Sequence, residues 1–337
     1  MLLKKIRVGI IGLGRIGKIH LENLSTKIEG VEVIGVMNPS KEGQLFANRF
    51  NVPLITDQAN DIIHHPNIDA VIVCSPTNSH SDYVIKAALA GKAIFCEKPL
   101  DLSLTKVKET LEVVKTSRVS LMLAFNQRLD PHFHEVKQKV EAGVIGRLYT
   151  IHIISRDPEP PPISYIKSSG GLFYDMTIHD FDMARYLVNA EVTEVFAKGY
   201  NLIDPKIGKA GDIDTGVVML TFENKVTVII ENSRKCAYGY DQRLEVFGSD
   251  GMLKTENPQK TMNYYLNAQG VHTSRYLNSF IDRYTASYFN EMKLFIESLQ
   301  NDLPMPITGE DGLKAMLIAE AANLSVEKQR SISLNEL

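Results

Sequence analysis

Residues 6–17 read IRVGIIGLGRIG, an apolar run that breaks into glycines at Gly12, Gly14 and Gly17. Ile6–Ile11 has the length and continuous hydrophobicity of a strand buried on both faces, and the residues after it have helical character to about Leu24. The glycines have separate tasks. Gly12 and Gly14 permit a tight turn and a close approach of backbone to a pyrophosphate, and Gly17 lets helix and strand pack closely. The helix N-terminus supplies N–H donors and a positive dipole end. With a second strand at Val31–Met37 the context of a dinucleotide-binding fingerprint is complete. Gly12, Gly14, Arg15 and Ile16 are therefore placed at a cofactor.

Outward from this turn the alternation continues. Helix Gln44–Phe50, strand Ala70–Cys74, helix Ser81–Gly91, strand Ala93–Cys96, helix Leu104–Thr116 and strand Ser120–Phe125 follow in order. Buried strands spaced by helices predict an α/β Rossmann domain, a doubly wound parallel sheet, over residues 1–126. After Asn126 the pattern changes to longer alternating strands at Arg147–Arg156, Val192–Tyr200, Val217–Phe222, Lys225–Asn232 and Gln242–Phe247. Few helices interrupt them, apart from Ser287–Gln300 and Gly312–Lys328 near the end. Residues 127–337 are expected to form an α+β domain with a large, mainly antiparallel sheet and helices on one side. The prolines between Pro158 and Pro162 demand a surface loop.

Composition narrows the function classes. With 37 basic and 40 acidic residues the formal net charge is -3, which gives no electrostatic case for nucleic acid or an anionic membrane. No apolar stretch reaches the ~20 residues of a membrane helix. The basic residues before Ile6 resemble the start of a signal peptide, but no small-residue cleavage pattern follows, and a first strand is the better reading. Cys74, Cys96 and Cys236 are widely spaced and odd in number, so neither a disulfide framework nor a zinc pair is expected. A cytoplasmic location follows from these features.

At the end of the second strand, where NAD enzymes place an acid for the ribose hydroxyls, the residue is Asn38. An amide still hydrogen-bonds a ribose but does not repel a 2′-phosphate, which Ser40 and Lys41 could receive. NAD is the expected cofactor and NADP stays open. Asn38 as a simple turn former before Pro39 is an equal alternative. The loop after Ala70–Cys74, with Ser75, Thr77, Asn78 and His80, lies at the carboxyl end of a parallel strand and should line the cofactor crevice. His80 at a helix start also has a purely structural reading.

Two segments carry chemistry. Glu97-Lys98-Pro99 follows the strand ending at Cys96, where a lysine beside a nicotinamide stabilises a developing alkoxide. The proline makes a cis bond affordable there. The second segment, GGLFYDMTIHDFDMAR over 170–185, spaces Asp175, His179 and Asp182 to share one face of a helix. A histidine suits accepting a hydroxyl proton, and an aspartate one turn away can orient it. Metal ligation by the pair lacks a third ligand motif, so no metal is expected; a structural pair at a helix start is the plainer alternative.

Together these segments resemble the Gfo/Idh/MocA oxidoreductase family, marked by a Rossmann fingerprint, an E-K-P after a later strand, and D-x-x-x-H on a second-domain helix. The resemblance covers essentially the whole chain. It implies that Lys98, Asp175 and His179 form the catalytic set, with His179 the proton acceptor, and that Glu97 and Lys98 adjoin the cofactor. It also implies an open-faced second sheet used for dimer or tetramer contacts. Stretches at 155–158, 169–185 and 232–248 resemble most the inositol 2-dehydrogenase branch. That branch implies hydride transfer from myo-inositol to give 2-keto-myo-inositol, a role in inositol catabolism and a homotetramer. Arg128, Asp157 and Tyr240 are then candidate substrate ligands. Asn38 departs from the acid common in NAD-using members. A related polyol such as scyllo-inositol, or an aldose, is an alternative substrate. Some relatives are dinucleotide-sensing regulators, which have no need for Lys98 and His179 together.

Overall fold

Ile6–Ile11 forms the first strand, β1, buried at all but Arg7. The computed structural model describes residues 5–337, so the first four residues of the expected first domain lie outside them. β2 (Val31–Met37), β3 (Leu54–Thr56), β4 (Ala70–Val73), β5 (Ala93–Cys96) and β6 (Leu121–Leu123) complete one sheet in the order β3-β2-β1-β4-β5-β6. Every pairing in it is parallel. The order reverses between β1 and β4, and ligands of such sheets bind outside the carboxyl ends of the strands at that reversal. β4 is wholly buried, as a strand covered on both faces must be.

β3 and the short helix Ala59–Ile63 were not foreseen from the sequence. Three half-buried residues give too short a run for a periodicity argument, and β3 exists because its edge position satisfies the backbone of β2.

The second sheet has β7 (Leu148–Arg156), β8 (Val192–Tyr200), β9 (Thr215–Phe222), β10 (Thr227–Ser233), β11 (Asp241–Gly248), β12 (Met252–Thr255) and, after a separate hairpin, the short β15 (Ile332–Ser333). Its order is β12-β11-β7-β10-β9-β8-β15. Only β7 and β10 pair parallel; the other pairs are antiparallel. The mainly antiparallel expectation therefore holds. The hairpin of β13 (Tyr264–Asn267) and β14 (Gly270–Thr273) is a two-stranded sheet by itself.

The chain divides into two compact units. One runs up to Leu129 and regains Ala286–Lys314; the other is Asp130–Thr285 with Ala315–Leu337. The simple cut after residue 126 thus misses a return of the chain. Helix Thr285–Gln300 packs on the Rossmann unit through residues such as Phe295, whose ring lies 5.6 Å from that of Phe95 on β5. Helix Pro131–Glu141 also escaped the sequence reading, although its start is well marked: Asp130 accepts from the N–H groups of His132 and Phe133, with Pro131 in the first turn.

Among the described residues, no helix is long and apolar enough to cross a membrane. All three cysteines are free thiols.

Candidate active site

In the first unit the glycine turn is built as the fingerprint requires. Gly12 has φ +95, and a Cβ there would lie 2.7 Å from the Cys74 carbonyl oxygen. A Cβ on Gly17 would sit 2.1 Å from the carbonyl oxygen of Gly12, so only glycine lets the helix start this close to the strand. Around Gly14 the situation is reversed, because a Cβ would meet nothing within 4 Å. Gly14 is also the N-cap of helix Arg15–Thr26, and no side chain caps its first turn. Open space in front of uncapped N–H donors fits a pyrophosphate. Arg15 is exposed and Ile16 half-buried beside it.

Asn38 is buried and its amide is committed. Oδ1 accepts from the Leu13 N–H at 2.9 Å, and Nδ2 donates to the carbonyl and hydroxyl oxygens of Ser40. The side chain pins the glycine turn to the loop after β2. These bonds give Asn38 the turn-holding task and leave one Oδ1 lone pair for a further donor. Ser40 caps the next helix, its hydroxyl accepting from the Gly43 N–H at the start of helix Lys41–Asn48.

The loop after β4 is held by His80. Its Nδ1 lies 2.8 Å from the Pro99 carbonyl and its Nε2 2.7 Å from the Ser75 carbonyl. Both ring nitrogens are engaged, so His80 shapes the crevice by clamping Ser75 to the turn that carries Lys98. The Ser75 and Ser79 hydroxyls lie 2.7 Å apart, Thr77 is half-buried and Asn78 exposed. Lys98 follows β5, half-buried, and the Lys98–Pro99 peptide is cis. Glu97 turns inward to the buried His20, with Oε1 3.1 Å from Nε2. Arg128 is buried and paired with Asp311 at 2.9 Å. That pair anchors the start of helix Gly309–Lys328 and gives the guanidinium a structural task of its own.

The second unit holds Asp175 and His179. The expected single α-helix is in fact a π-helical turn over Phe173–Thr177 followed by α-helix Ile178–Val188. Asp175 lies inside the wider π turn, and His179 and Asp182 lie in the α-helix that follows it. Such turns are frequent at functional sites. Asp175 accepts from the Tyr165 hydroxyl at 2.8 Å and from Arg234 Nη1 at 3.0 Å. Arg234 is fully buried and also reaches Asp212 at 3.3 Å. Burial works against its charge, but Asp175 and Asp212 more than offset this, and the guanidinium is held more firmly protonated.

Next to His179, Asp180 is buried and accepts from Ser155 at 2.6 Å and from Asn232 at 2.7 Å; Asn232 in turn accepts from Thr177. This network ties the helix to β7 and β10. Burial pushes the Asp180 carboxyl up to about 7 against the pull of the two hydrogen bonds, and the charge of Asp157 adds to the rise. Asp157 thus sits within electrostatic reach of Asp180 and Arg234. Tyr240 is buried, its ring edge-on to Tyr284 at 6.1 Å.

A carboxyl whose pKa is raised by folding contributes stability below its unfolded value, and this is lost as pH rises through the folded value. Asp180→Asn removes that dependence, and Ser155 can reverse its hydrogen bond to suit an amide. The thermal midpoint of the native protein should therefore fall relative to Asp180→Asn as pH rises from 5 to 8. Parallel midpoint curves would contradict the assignment.

Arg234, Asp212, Asp180, Ser155 and Asn232 were not singled out from sequence as site residues. Their roles arise from contacts between distant segments, and the local signal is limited to Ser155 and Asn232, polar residues at buried positions of the largely apolar β7 and β10.

Residues 6–125 match the oxidoreductase family with an NAD-binding Rossmann fold, GFO/IDH/MocA, and residues 133–254 match the GFO/IDH/MocA C-terminal domain. The myo-inositol 2-dehydrogenase of Thermotoga maritima is 46% identical over 98% of this chain and 99% of its own. The inositol 2-dehydrogenase of Rhizobium meliloti is 41% identical over 98% and 99%. A scyllo-inositol dehydrogenase from Lactobacillus casei, solved with NAD(H) and scyllo-inositol bound, superposes with a TM-score of 0.92 at 32% identity, covering 98% of this chain and 100% of that one.

Proposed function

Since this chain belongs to the GFO/IDH/MocA family of NAD-binding oxidoreductases, we propose that it is an inositol 2-dehydrogenase that oxidises myo-inositol to 2-keto-myo-inositol. The observation that carries this reading is the joint presence of a dinucleotide turn with open space at Gly14 and a lysine and histidine in the family's two catalytic segments. Relatives at 46% and 41% identity over 99% of their own lengths are a myo-inositol 2-dehydrogenase and an inositol 2-dehydrogenase.

His179 takes the proton of the reacting hydroxyl. Lys98 steadies the negative charge that develops on that oxygen. Asp175, fixed by Arg234 and Tyr165, presents a carboxylate that orients the histidine and favours its protonated form after the transfer. Gly12, Gly14, Arg15, Ile16, Ser75, Thr77, Asn78 and Glu97 would hold the dinucleotide, which would supply a nicotinamide as hydride acceptor. Asp157 is the best supported of the substrate ligands. Arg128 and Tyr240 contribute through position, given the ion pair of one and the burial of the other.

NAD is favoured over NADP. Glu42, one residue beyond Lys41, places a carboxylate in the first turn of helix Lys41–Asn48, where a 2′-phosphate would be repelled. The protein works in the cytoplasm, consistent with its free thiols, in inositol catabolism. It assembles as a homotetramer, supported by apolar residues on the solvent side of the second sheet, among them Val217, Met219, Phe247 and Met252.

A panel of inositol isomers and aldoses with NAD and NADP in parallel, followed at the absorbance of the reduced nicotinamide, tests this reading. Myo-inositol with NAD should give the highest kcat/KM. A preference for scyllo-inositol would change the substrate, and turnover of no polyol would overturn the proposal.

A further inference from the structure

His20 lies on helix Arg15–Thr26, the helix whose N-terminus faces the space at Gly14. It is fully buried, and its ring is fixed edge-on between Phe95 on β5, at 5.4 Å, and Tyr288 at 6.0 Å. Its Nδ1 is buried and has no hydrogen-bond partner among the described residues. An N–H there would waste a donor, so the ring proton belongs on Nε2. Nε2 lies 3.1 Å from Glu97 Oε1 and donates to it. A second carboxyl, Glu291, places Oε1 3.7 Å from the same nitrogen. Glu291 is fully buried with neither oxygen hydrogen-bonded. Burial, and then the charge of Glu97, push it well up, so it keeps its proton and leaves the Nε2–H to Glu97.

The Cys74 sulfur completes a group that lies within 4.8 Å of His20 and Glu97. Three such atoms invite a cation, but burial in the first place, and the charge of Glu97 after it, raise the thiol far above its ordinary range. A protonated thiol and a protonated Glu291 leave one carboxylate, Glu97, with one donor, His20. A set with one carboxylate and two groups that keep their protons is a poor ligand for a cation.

Glu97 immediately precedes Lys98. We propose that His20 is a positioning residue for Lys98, acting through Glu97, and so links the dinucleotide-binding helix to the catalytic turn. This inference rests on Lys98 acting in the reaction. The bond from Nε2 fixes the Glu97 side chain below the turn, and its loss lets the lysine wander. Misplacement by about 1 Å can cost on the order of 10²-fold in rate.

The test is a double-substitution cycle of His20→Leu and Glu97→Gln, with His20→Gln as the conservative variant that keeps an N–H donor. His20→Leu should lower kcat by about tenfold or more while NAD binding, measured by titration, changes far less. His20→Gln should recover most of the loss. Adding His20→Leu to Glu97→Gln should cost little more, both in kcat and in the thermal midpoint of the protein without NAD. Additive losses, or equal losses with Leu and Gln, would overturn the proposal. If His20→Leu does not fold, the comparison of His20→Gln alone and combined with Glu97→Gln decides in the same way. One equivalent of zinc in the purified protein would also overturn it. Lys98→Met is the control: full activity in that variant would remove the reading of Lys98, whereas loss there with an additive cycle would remove only the role of His20.

Discussion

His179→Ala should lower kcat by about 10²–10⁴-fold, the range general-base action is worth, while NAD affinity stays near that of the native protein. The expectation follows from where the residue stands. His179 is in the second unit, in the first turn of helix Ile178–Val188, and the glycine turn that fits the dinucleotide is in the first. Asp180 tethers the start of that helix to β7 and β10 through Ser155 and Asn232, so removing the imidazole should leave the backbone in place. Added imidazole should restore part of the rate if the ring's only task is to accept a proton. Turnover unchanged in the alanine variant would discard the base assignment. Loss of NAD binding in parallel with turnover would mean that the fold had been damaged.

Lys98→Met should lower kcat by about 10²–10³-fold, the cost typical of removing one donor to a developing oxyanion. Methionine keeps much of the apolar stem and loses the charge with its N–H donors. With His179 as the proposed base, an acid limb in the pH–rate profile should persist in the residual activity of this variant. Lys98→Arg should rescue poorly, because a planar guanidinium does not reproduce the compact point charge of an ammonium. Rate loss accompanied by a matching rise in the Kd for NAD would instead make Lys98 a cofactor anchor.

Much of the architecture was legible because it depends on local patterns. The glycines at 12, 14 and 17, the continuous apolar strands and the shift to alternating strands after Asn126 are set by the periods of strand and helix and by what a tight turn tolerates. Features that depend on distant contacts were not legible. Helix Thr285–Gln300 has an ordinary amphipathic pattern, and nothing in it says that it returns to the Rossmann unit. The π-helical turn at Phe173–Thr177 has no signature in a sequence whose spacing suits an α-helix. Asn38 illustrates the same limit at one residue. Its position suggested a ribose ligand, and its amide also bonds Leu13 and Ser40, the first of which is near only once β1 and β2 pair. For Asp175, the sequence showed the carboxylate and its distance from His179, whereas its partners, Arg234 and Tyr165, come from other elements.

The most direct test of the account is the fate of the hydrogen on carbon 2 of myo-inositol. With that position deuterated, turnover with NAD should deliver the label to the reduced nicotinamide, one deuteron per ketone formed, with a primary isotope effect on kcat/KM that grows in the Lys98→Met variant as chemistry slows. Label found in water, or a reduced nicotinamide free of deuterium, would contradict hydride transfer and with it the roles given to Lys98 and His179.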